Sequence, residues 1–298
     1  MPNRFSRRIF LQGAVSLAGS TAFASLGVGL YEPQEIQVER VEIRLRRLPP
    51  EFDGLRVAQL SDIHFSRYLR EAHLRSVVET TNAQRPDLVA ITGDFVSDSF
   101  FDGSGGRGSG GRQVDAEHAW PCAEVLRTLQ APLGIMAVLG NHDFSTNPEI
   151  VSEALTTNKV QVLRNRALAL QRNGQRLWLA GVDDALFRRA RPELALQGVP
   201  HNECILALAH EPDFADEMRK FPVDLQLSGH SHGGQVRLPL AGALYLPKLG
   251  RKYPLGYYRC GALQLYTNRG VGVIGVPVRF MCPPELTVFT LTSGLHIG

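Results

Sequence analysis

The sequence predicts an α/β protein built around two sheets. In the first half of the chain, short apolar runs alternate with segments of helical periodicity, and the second half is richer in strand-like runs. Several of the apolar runs end at an Asp, Asn or His. With 298 residues, 44% hydrophobic content and 20% charged residues, the chain can bury a substantial core and is not a disordered polyelectrolyte. We therefore expect one α/β domain over residues 31–298.

The spacing of apolar residues in the first half predicts a βαβαβ arrangement. An alternating segment over 36–48 is typical of a strand or hairpin. Three short apolar runs predict buried strands, which are Leu55–Leu60, Leu88–Ile91 and Ile135–Leu139. Helical spacing over 70–83 and 114–130 separates these strands, so we expect a parallel or mixed sheet with helices outside it.

Strand candidates dominate the second half of the chain. They are Leu177–Val182, Ile205–Ala209, Val223–Leu227, Leu263–Tyr266 and Leu286–Leu291. No internal repeat is evident, and no linker divides the chain beyond residue 31 into separate domains. One domain whose two sheets direct their strand ends to a single site is the simplest arrangement.

The segment Asp102–Arg112 consists almost entirely of Gly, Ser and Arg. Such a composition is typical of a flexible insertion. A phosphate-binding P-loop would end in Gly-Lys-Ser/Thr and would lie tightly between a strand and a helix. Because the segment has neither property, we predict a flexible insertion over 102–112.

The first thirty residues resemble an export signal. Arg7 and Arg8 precede an uncharged stretch over 13–30 that is rich in Gly, Ala and Ser, which is the twin-arginine pattern. Ala22-Phe23-Ala24 fits a small-x-small cleavage site, and an uncleaved membrane anchor over 1–30 is the alternative. We therefore predict the twin-arginine translocase as a partner during export. The expected location is the periplasm, the cell envelope or the outward face of the membrane.

Charge and cysteine content exclude several other functions. Outside the first thirty residues the chain carries 29 basic and 29 acidic residues, so nothing in its charge favours nucleic acid as a partner. Four cysteines allow three full disulfide pairings in an exported protein. None lies in a Cys-x-x-Cys arrangement, so we assign the cysteines no catalytic or zinc-binding role.

Five short segments supply side chains that bind divalent metals. They are Asp62-Ile63-His64, Gly93-Asp94, Gly140-Asn141-His142-Asp143, His210 and Gly229-His230-Ser231-His232. Loops beyond the carboxyl ends of parallel strands usually form the sites of open α/β sheets. Carboxylate, amide and imidazole ligands suit a pair of metal ions, which can neutralise a phosphoryl group and activate a water molecule. The segments therefore predict a two-metal phosphoesterase.

In these segments the chain resembles the calcineurin-like metallophosphoesterases. The family pattern is Asp-x-His, Gly-Asp, Gly-Asn-His-Asp/Glu, a lone His and Gly-His-x-His, and the match extends from about residue 55 to 235. The resemblance implies a four-layer α/β/β/α sandwich, with the dimetal site at the carboxyl ends of the strands. It also implies two divalent or mixed-valence metal ions, which are Mn, Fe or Zn.

The resemblance assigns a role to each motif residue. The first metal would be bound by Asp62, His64 and His232, the second by Asn141, His210 and His230, and Asp94 would bridge the two. His142 would contact the phosphate and protonate the leaving oxygen, while Asp143 would orient the His142 ring. The nucleophile would be a hydroxide that bridges the metals.

Further features resemble a bacterial branch that contains cell-envelope phosphodiesterases and relatives acting on lipid-linked pyrophosphates. They are the leader, Gly233-Gly234-Gln235 and the ending over 279–286. The branch implies a phosphodiesterase acting on a phosphate ester, with a lipid-linked substrate and association with a membrane surface left open. A pyrophosphohydrolase of a nucleotide-linked lipid precursor is the alternative, and a non-catalytic scaffold is a remote one.

The apolar segment Leu238–Pro247 directly follows the last metal-binding motif. It predicts either a lip that receives an acyl chain or a buried hairpin, and we favour the buried hairpin because apolar runs usually contribute to a core.

Overall fold

A computed structural model describes residues 36–66, 68–97, 115–275 and 277–294. The predicted leader over 1–30 and the predicted insertion over 102–112 lie outside the described residues. Within those ranges no helix combines the length and apolar character that crossing a membrane requires.

Strands and helices alternate along the described chain. The strands are β1 (Gln37–Leu45), β2 (Leu55–Leu60), β3 (Leu88–Ile91), β4 (Ile135–Ala137), β5 (Val160–Val162), β6 (Arg166–Arg172), β7 (Gln175–Gly181), β8 (Cys204–Leu208), β9 (Leu225–Ser228), β10 (Arg237–Leu238), β11 (Gly242–Ala243), β12 (Gly256–Cys260), β13 (Leu263–Thr267) and β14 (Glu285–Ser293). The helices are α1 (Glu71–Ala83), α2 (Ala119–Leu126), α3 (Asn141–Thr146), α4 (Pro148–Thr157), α5 (Pro192–Ala195) and α6 (Ala215–Met218).

The first sheet contains the predicted βαβαβ unit. Its strand order is β1-β14-β2-β3-β4-β5, and all neighbours are parallel except β14 and β2. The bounds of β2 and β3 are those that the apolar runs predict, whereas β4 ends two residues early, at Ala137. The C-terminal strand β14 also belongs to this sheet, between β1 and β2, so the two ends of the described chain pair with each other.

The second sheet has the order β12-β13-β9-β8-β7-β6. Strands β7, β8, β9 and β13 run parallel to one another, and antiparallel β6 and β12 form the edges. The parallel strands that lead to His210 and His230 therefore occupy the centre of the sheet. Their buried apolar sequences, such as the fully buried β8, suit a sheet that is covered on both faces.

The alternating side chains of the first sheet separate two layers of the core. In β2, Leu55 and Val57 pack between the two sheets, whereas Ala58 and Leu60 face the helices α1, α2 and α4. The helices α5 and α6 pack against the outer face of the second sheet. This α/β/β/α order is the four-layer sandwich that the resemblance implies, so the predicted fold class is confirmed. The four cysteines are buried and form no disulfide with one another.

Stability of the inter-sheet core can be tested at Phe289. Its ring is fully buried and lies edge-on to Tyr266 of the other sheet, with ring centroids 5.0 Å apart. We expect Phe289→Ala to lower the free energy of unfolding by about 3–5 kcal/mol, measured by guanidinium denaturation, because it removes a large side chain from a packed interior. The neighbouring exposed Thr290 provides the control, and an equal loss in Thr290→Ala would contradict this account.

Candidate metal centre

The predicted ligand residues lie together, at the edge where the carboxyl ends of strands from both sheets meet. Asp62 and His64 follow β2, and Asp94 follows β3. Asn141 is the first residue of α3, just beyond β4. In the second sheet His210 follows β8, and the segment from His230 to His232 follows β9. This is the placement that the motifs predict, because parallel strands direct their carboxyl ends to a common edge.

The backbone at this edge adopts left-handed conformations at residues that have side chains. The φ angles are 50° at Asp62, 48° at His64, 56° at Asp94, 66° at His230 and 51° at His232. Each such residue costs about 1–3 kcal/mol and persists only where the surroundings enforce it. Hydrogen bonds join the loops after β2 and β3 here, since the backbone N–H of Asp62 donates to Gly93 O at 2.9 Å and the backbone N–H of His64 donates to Asp94 O at 2.9 Å. Strain of this kind clusters at functional sites.

Asp62, His64 and His232 form one group of candidate ligands. The Nε2 atoms of His64 and His232 are 3.1 Å apart, and His232 Nε2 is 3.4 Å from Asp62 Oδ1. All three side chains are buried, and one ligand atom from each lies within 4.8 Å of the others. This group matches the set that the resemblance assigns to the first metal.

A second group surrounds His210. Its Nε2 lies 3.1 Å from Asp94 Oδ2, 3.2 Å from Asn141 Oδ1 and 3.3 Å from His230 Nδ1. Asp94 Oδ2 is also 3.6 Å from Nε2 of His64, which belongs to the first group. Asp94 therefore lies between the two groups, where a bridging ligand would lie.

Backbone contacts fix the direction of the ligand side chains. His210 Nδ1 lies 2.7 Å from Thr92 O and His230 Nε2 lies 2.9 Å from Lys248 O, so each histidine donates to a carbonyl and turns its other nitrogen into the site. The His230 backbone N–H donates to both carboxylate oxygens of Asp62 at 3.0 Å. The motifs gave no signal for Thr92 or Lys248, because backbone carbonyls leave no mark on the sequence.

Burial and neighbouring charges together determine the protonation states of the ligand side chains. It lowers the pKa of His64 to about 3 and also lowers the pKa of His230, so both imidazoles are neutral and present a lone pair. Burial alone would raise the pKa of Asp94, but the positive charge of His210 holds it well below its usual range. Burial would lower the pKa of His210, but the carboxylates around it, first Asp94 and then Asp62 and Glu211, together raise it well above its usual value. Burial raises the pKa of Asp62 to about 6.

This donor set fits a pair of divalent cations. Neutral imidazole nitrogens and carboxylate and amide oxygens point at two neighbouring positions, and these are the donors that zinc, iron and manganese accept. The buried carboxylate of Asp94 needs positive charge beside it, which a proton on His210 supplies here. A cation bound at either position would supply that positive charge in place of the proton.

His142 lies beside both groups. Its ring meets the His64 ring edge-on with centroids 4.9 Å apart, and its backbone N–H donates to Asp94 Oδ1 at 2.8 Å. Together with His64 and Asp94 it forms a third cluster with the spacing of a metal site. His142 also lines the cavity next to the site, which is where an acid for a leaving group would have to lie.

The carboxylate of Asp143 accepts hydrogen bonds from backbone N–H groups on both sides of the site. Its two carboxylate oxygens accept backbone N–H groups from Asp94, Phe95 and Gly140 at 2.9 Å and from Val96 at 3.3 Å. Burial, followed by the charge of Asp94, raises the pKa of Asp143 to about 7. The carboxylate thus joins the loop after β3 to the start of α3, and the orientation of the His142 ring by Asp143 stays a prediction.

Two further buried charged residues support the site from outside the five metal-ligand segments. Arg279 is fully buried, and its guanidinium donates to the backbone carbonyls of Arg269, Gly270, Gly272 and Cys282. Glu211 accepts from the backbone of Ala185 and Leu186, which fixes the loop after β7 beside the cavity. Their sequence signal is weak, because an isolated Arg or Glu is more often a surface residue.

A cavity of about 620 Å³ adjoins the metal-ligand residues. Its lining includes the polar residues Asp94, Asn141 and the histidines at 142, 230 and 232, together with the apolar residues Leu186, Val236, Leu244, Tyr245, Pro247 and Ile274. The short hairpin of β10 and β11 connects two of these lining residues, Val236 and Leu244. The prediction that this segment is buried is wrong, because Leu244 is 63% exposed, Tyr245 is 70% exposed and Leu240 is fully exposed.

Comparison with known proteins agrees with this geometry. A family model described as calcineurin-like phosphoesterase matches residues 55–234. The uncharacterized metallophosphoesterase YkuE of Bacillus subtilis is 35% identical, over 97% of this chain and 99% of its own length. The phosphodiesterase YaeI of Escherichia coli is 30% identical, over 96% and 99% respectively. The UDP-2,3-diacylglucosamine pyrophosphatase LpxG of Chlamydia muridarum is 25% identical, over 94% and 97%. The chain therefore belongs to the calcineurin-like metallophosphoesterase family.

Proposed function

We propose that the protein is a two-metal phosphodiesterase that works outside the cytoplasm. The observation that carries the proposal is the position of Asp94, which lies 3.1 Å from His210 in one buried ligand group and 3.6 Å from His64 in the other. A carboxylate shared in this way is what a pair of adjacent cations needs. The open cavity beside it provides room for an ester.

The residues would be divided between two ions as the motifs predict. Asp62, His64 and His232 would hold the first, Asn141, His210 and His230 the second, and Asp94 would bridge them. Manganese, iron and zinc all suit this set of oxygen and imidazole donors. When bound, the ions would neutralise the phosphoryl oxygens and activate a water molecule for attack.

The side chains around the ions would bind the ester and transfer a proton. His142 faces the cavity beside Asp94, where its ring can donate a proton to the leaving oxygen. Asp143 holds the backbone of Asp94 and Gly140 in place, so it would act as a positioning residue. No side chain needs to attack phosphorus in this scheme.

A diester substrate is supported by the relative named phosphodiesterase YaeI, which matches nearly the whole chain. The apolar residues that line the cavity favour an ester that carries a hydrophobic group. A pyrophosphohydrolase acting on a nucleotide-linked lipid precursor is the second candidate, because LpxG is a relative with a pyrophosphatase name. The non-catalytic scaffold remains a weak alternative, since the chain retains all seven ligand residues together with His142.

The proposed bridging role can be tested with Asp94→Ala. We expect this variant to lose bound metal and to hydrolyse bis(p-nitrophenyl) phosphate more than about 100-fold slower than the wild type. Substitutions that only touch the partners of metal ligands already cost roughly 10–100-fold. Metal content would be measured by elemental analysis after reloading with manganese, and activity by release of p-nitrophenol.

The matched control is Asp216→Ala, which removes a carboxylate from an exposed ion pair with Lys252. Such pairs contribute little to stability, so metal content and activity should stay close to the wild type. Two bound metals and full activity in Asp94→Ala would refute the bridging role. Bound metals without any turnover in the wild type would instead point to the pyrophosphate substrate or to the scaffold.

The proposed acid can be tested with His142→Gln. We expect two metals to remain bound, while hydrolysis of a diester with alkyl leaving groups falls by about 100-fold or more. The loss should be much smaller for bis(p-nitrophenyl) phosphate, because p-nitrophenolate leaves without protonation. Exposed His201 provides the control variant His201→Gln. A loss of one metal in His142→Gln would instead mean that His142 is a ligand, as its cluster with His64 and Asp94 permits.

We also propose export by the twin-arginine route, supported by Arg7, Arg8 and the uncharged stretch that follows them. Replacing both arginines with lysine should keep the protein in the cytoplasmic fraction of a bacterial host, while the unaltered chain reaches the cell envelope. Cell fractionation followed by immunoblotting measures the distribution. Export of the dilysine variant at the wild-type level would contradict the proposal.

A further inference from the structure

A group of apolar side chains is exposed beside the mouth of the cavity. We call it the apolar rim, and it consists of Leu238, Leu240, Leu244, Tyr245 and Met281. Leu238 lies on β10 and Leu240 lies in the turn of the hairpin, and Leu244 and Tyr245 follow β11 directly. Met281 is adjacent to Phe280, whose carbonyl oxygen accepts from the backbone N–H of Arg237 at 2.9 Å. This hydrogen bond brings the segment of Met281 next to the hairpin. Exposed apolar patches next to a site mark surfaces that meet another apolar phase.

The hairpin is firmly attached to the metal-binding turn. The guanidinium of Arg237 donates to Gly233 O at 2.8 Å, and the backbone N–H of Leu244 donates to Val236 O at 3.1 Å. Phe280 donates to Gln235 O at 3.0 Å on the other side. The exposed leucines are therefore held outward by an ordered backbone, so their exposure follows from the fold.

The stretch of sequence that contains the apolar rim carries only basic charged residues. From Leu225 to Pro284 the sequence contains no Asp or Glu, but it contains seven Lys or Arg residues. Lys248 lines the cavity and is exposed, and Arg251 and Lys252 follow it on the surface. Lys252 pairs with Asp216, whereas no ion pair is found for Lys248 or Arg251 among the described residues. An anionic partner would meet positive charge next to the apolar rim.

We propose that the apolar rim and Lys248 and Arg251 dock the protein onto a lipid bilayer that contains anionic headgroups. Aliphatic and aromatic side chains would enter the boundary between headgroups and acyl chains, and the basic side chains would remain at the headgroup level. Because Leu244 and Tyr245 also line the cavity, docking would turn the mouth of the metal site toward the membrane. The inference concerns the surface and does not depend on the proposed activity.

The combination of features favours a bilayer over a second copy of the chain. A self-interface would bring Lys248 and Arg251 of one copy close to the same cations of the other. The carboxylates that contact this segment are already engaged, because Asp213 accepts from the backbone N–H groups of Arg251 and Lys252 and Asp216 pairs with the Lys252 side chain. Like charges at an interface oppose association. An anionic bilayer instead satisfies the apolar and the basic parts of the surface together.

A dye at the tip of the hairpin tests the proposal in the full chain. All four native cysteines are buried, so Leu240→Cys provides an accessible thiol for an environment-sensitive fluorophore. We expect its emission to shift to shorter wavelength on vesicles of phosphatidylglycerol and phosphatidylcholine, and much less on phosphatidylcholine alone. The matched control is Leu194→Cys, because Leu194 is 53% exposed on α5 and lies outside the rim. Its emission should not change with either vesicle.

The energetic contribution of the rim is tested by vesicle flotation of the full chain. We expect Leu238→Ser together with Leu240→Ser to lower the vesicle association constant by roughly tenfold or more, since two leucine side chains no longer leave water. Neither residue lines the cavity, so turnover of soluble bis(p-nitrophenyl) phosphate should match the wild type. This readout separates loss of docking from loss of the proposed activity.

Other outcomes would overturn the proposal. An unchanged spectrum of the Leu240→Cys label on anionic vesicles would mean that the hairpin does not reach the bilayer. An equal shift on neutral vesicles would remove the role of the basic residues. A label shift that appears with rising protein concentration in the absence of lipid, together with a dimer in analytical ultracentrifugation, would identify a second copy as the occupant.

Discussion

The site depends on the close approach of two loop ends around Asp94. A Cβ atom on Gly93 would lie only 2.6 Å from Gly140 N and 2.8 Å from His210 Nδ1, so no side chain fits between these segments. The absence of a side chain lets the loop after β3 touch both the start of α3 and the end of β8. Asp94 can then reach the histidines of both sheets, and Asp143 fixes this contact through the backbone N–H groups. The glycines of the motifs are thus a steric requirement of the shared carboxylate.

The strand ends were the most predictable part of the chain. Leu55–Leu60 and Leu88–Ile91 are short apolar runs that stop at a polar residue, and their structural bounds are the same. Pairing was less predictable, because alternation in β14 indicates a strand but carries no information on its partner. Its place between β1 and β2 depends on contacts between residues 37–45 and 285–293, which only the folded chain brings together. Short α5 and α6 likewise lack the length that makes a helical period visible.

The structure brings the predicted motif side chains together, whereas the backbone groups that support them carry no signal in the sequence. The motif residues that face the two ligand groups are those that the sequence indicates, because metal binding demands particular side-chain types. The backbone donors to Asp143 were not predicted, since a carboxylate can accept from a ring N–H or from backbone N–H groups, and sequence does not distinguish them. The exposed hairpin shows the same limit. An apolar composition indicates burial against something, and it does not tell whether that partner is the core of the same chain.

The architecture relates the metal centre to the apolar rim. In a four-layer sandwich the two sheets bury each other's inner faces, and the helices cover the outer faces, so the polar ligands can emerge only at the edge of the strand ends. The segment after His232 leaves the core at that same edge, with its first turn attached to Gly233 through Arg237. The apolar rim, which this segment forms together with Met281, therefore lies next to the metal-ligand residues. Docking through the rim would therefore present the cavity to whatever lies in the bound layer, which couples the choice of surface to the choice of substrate.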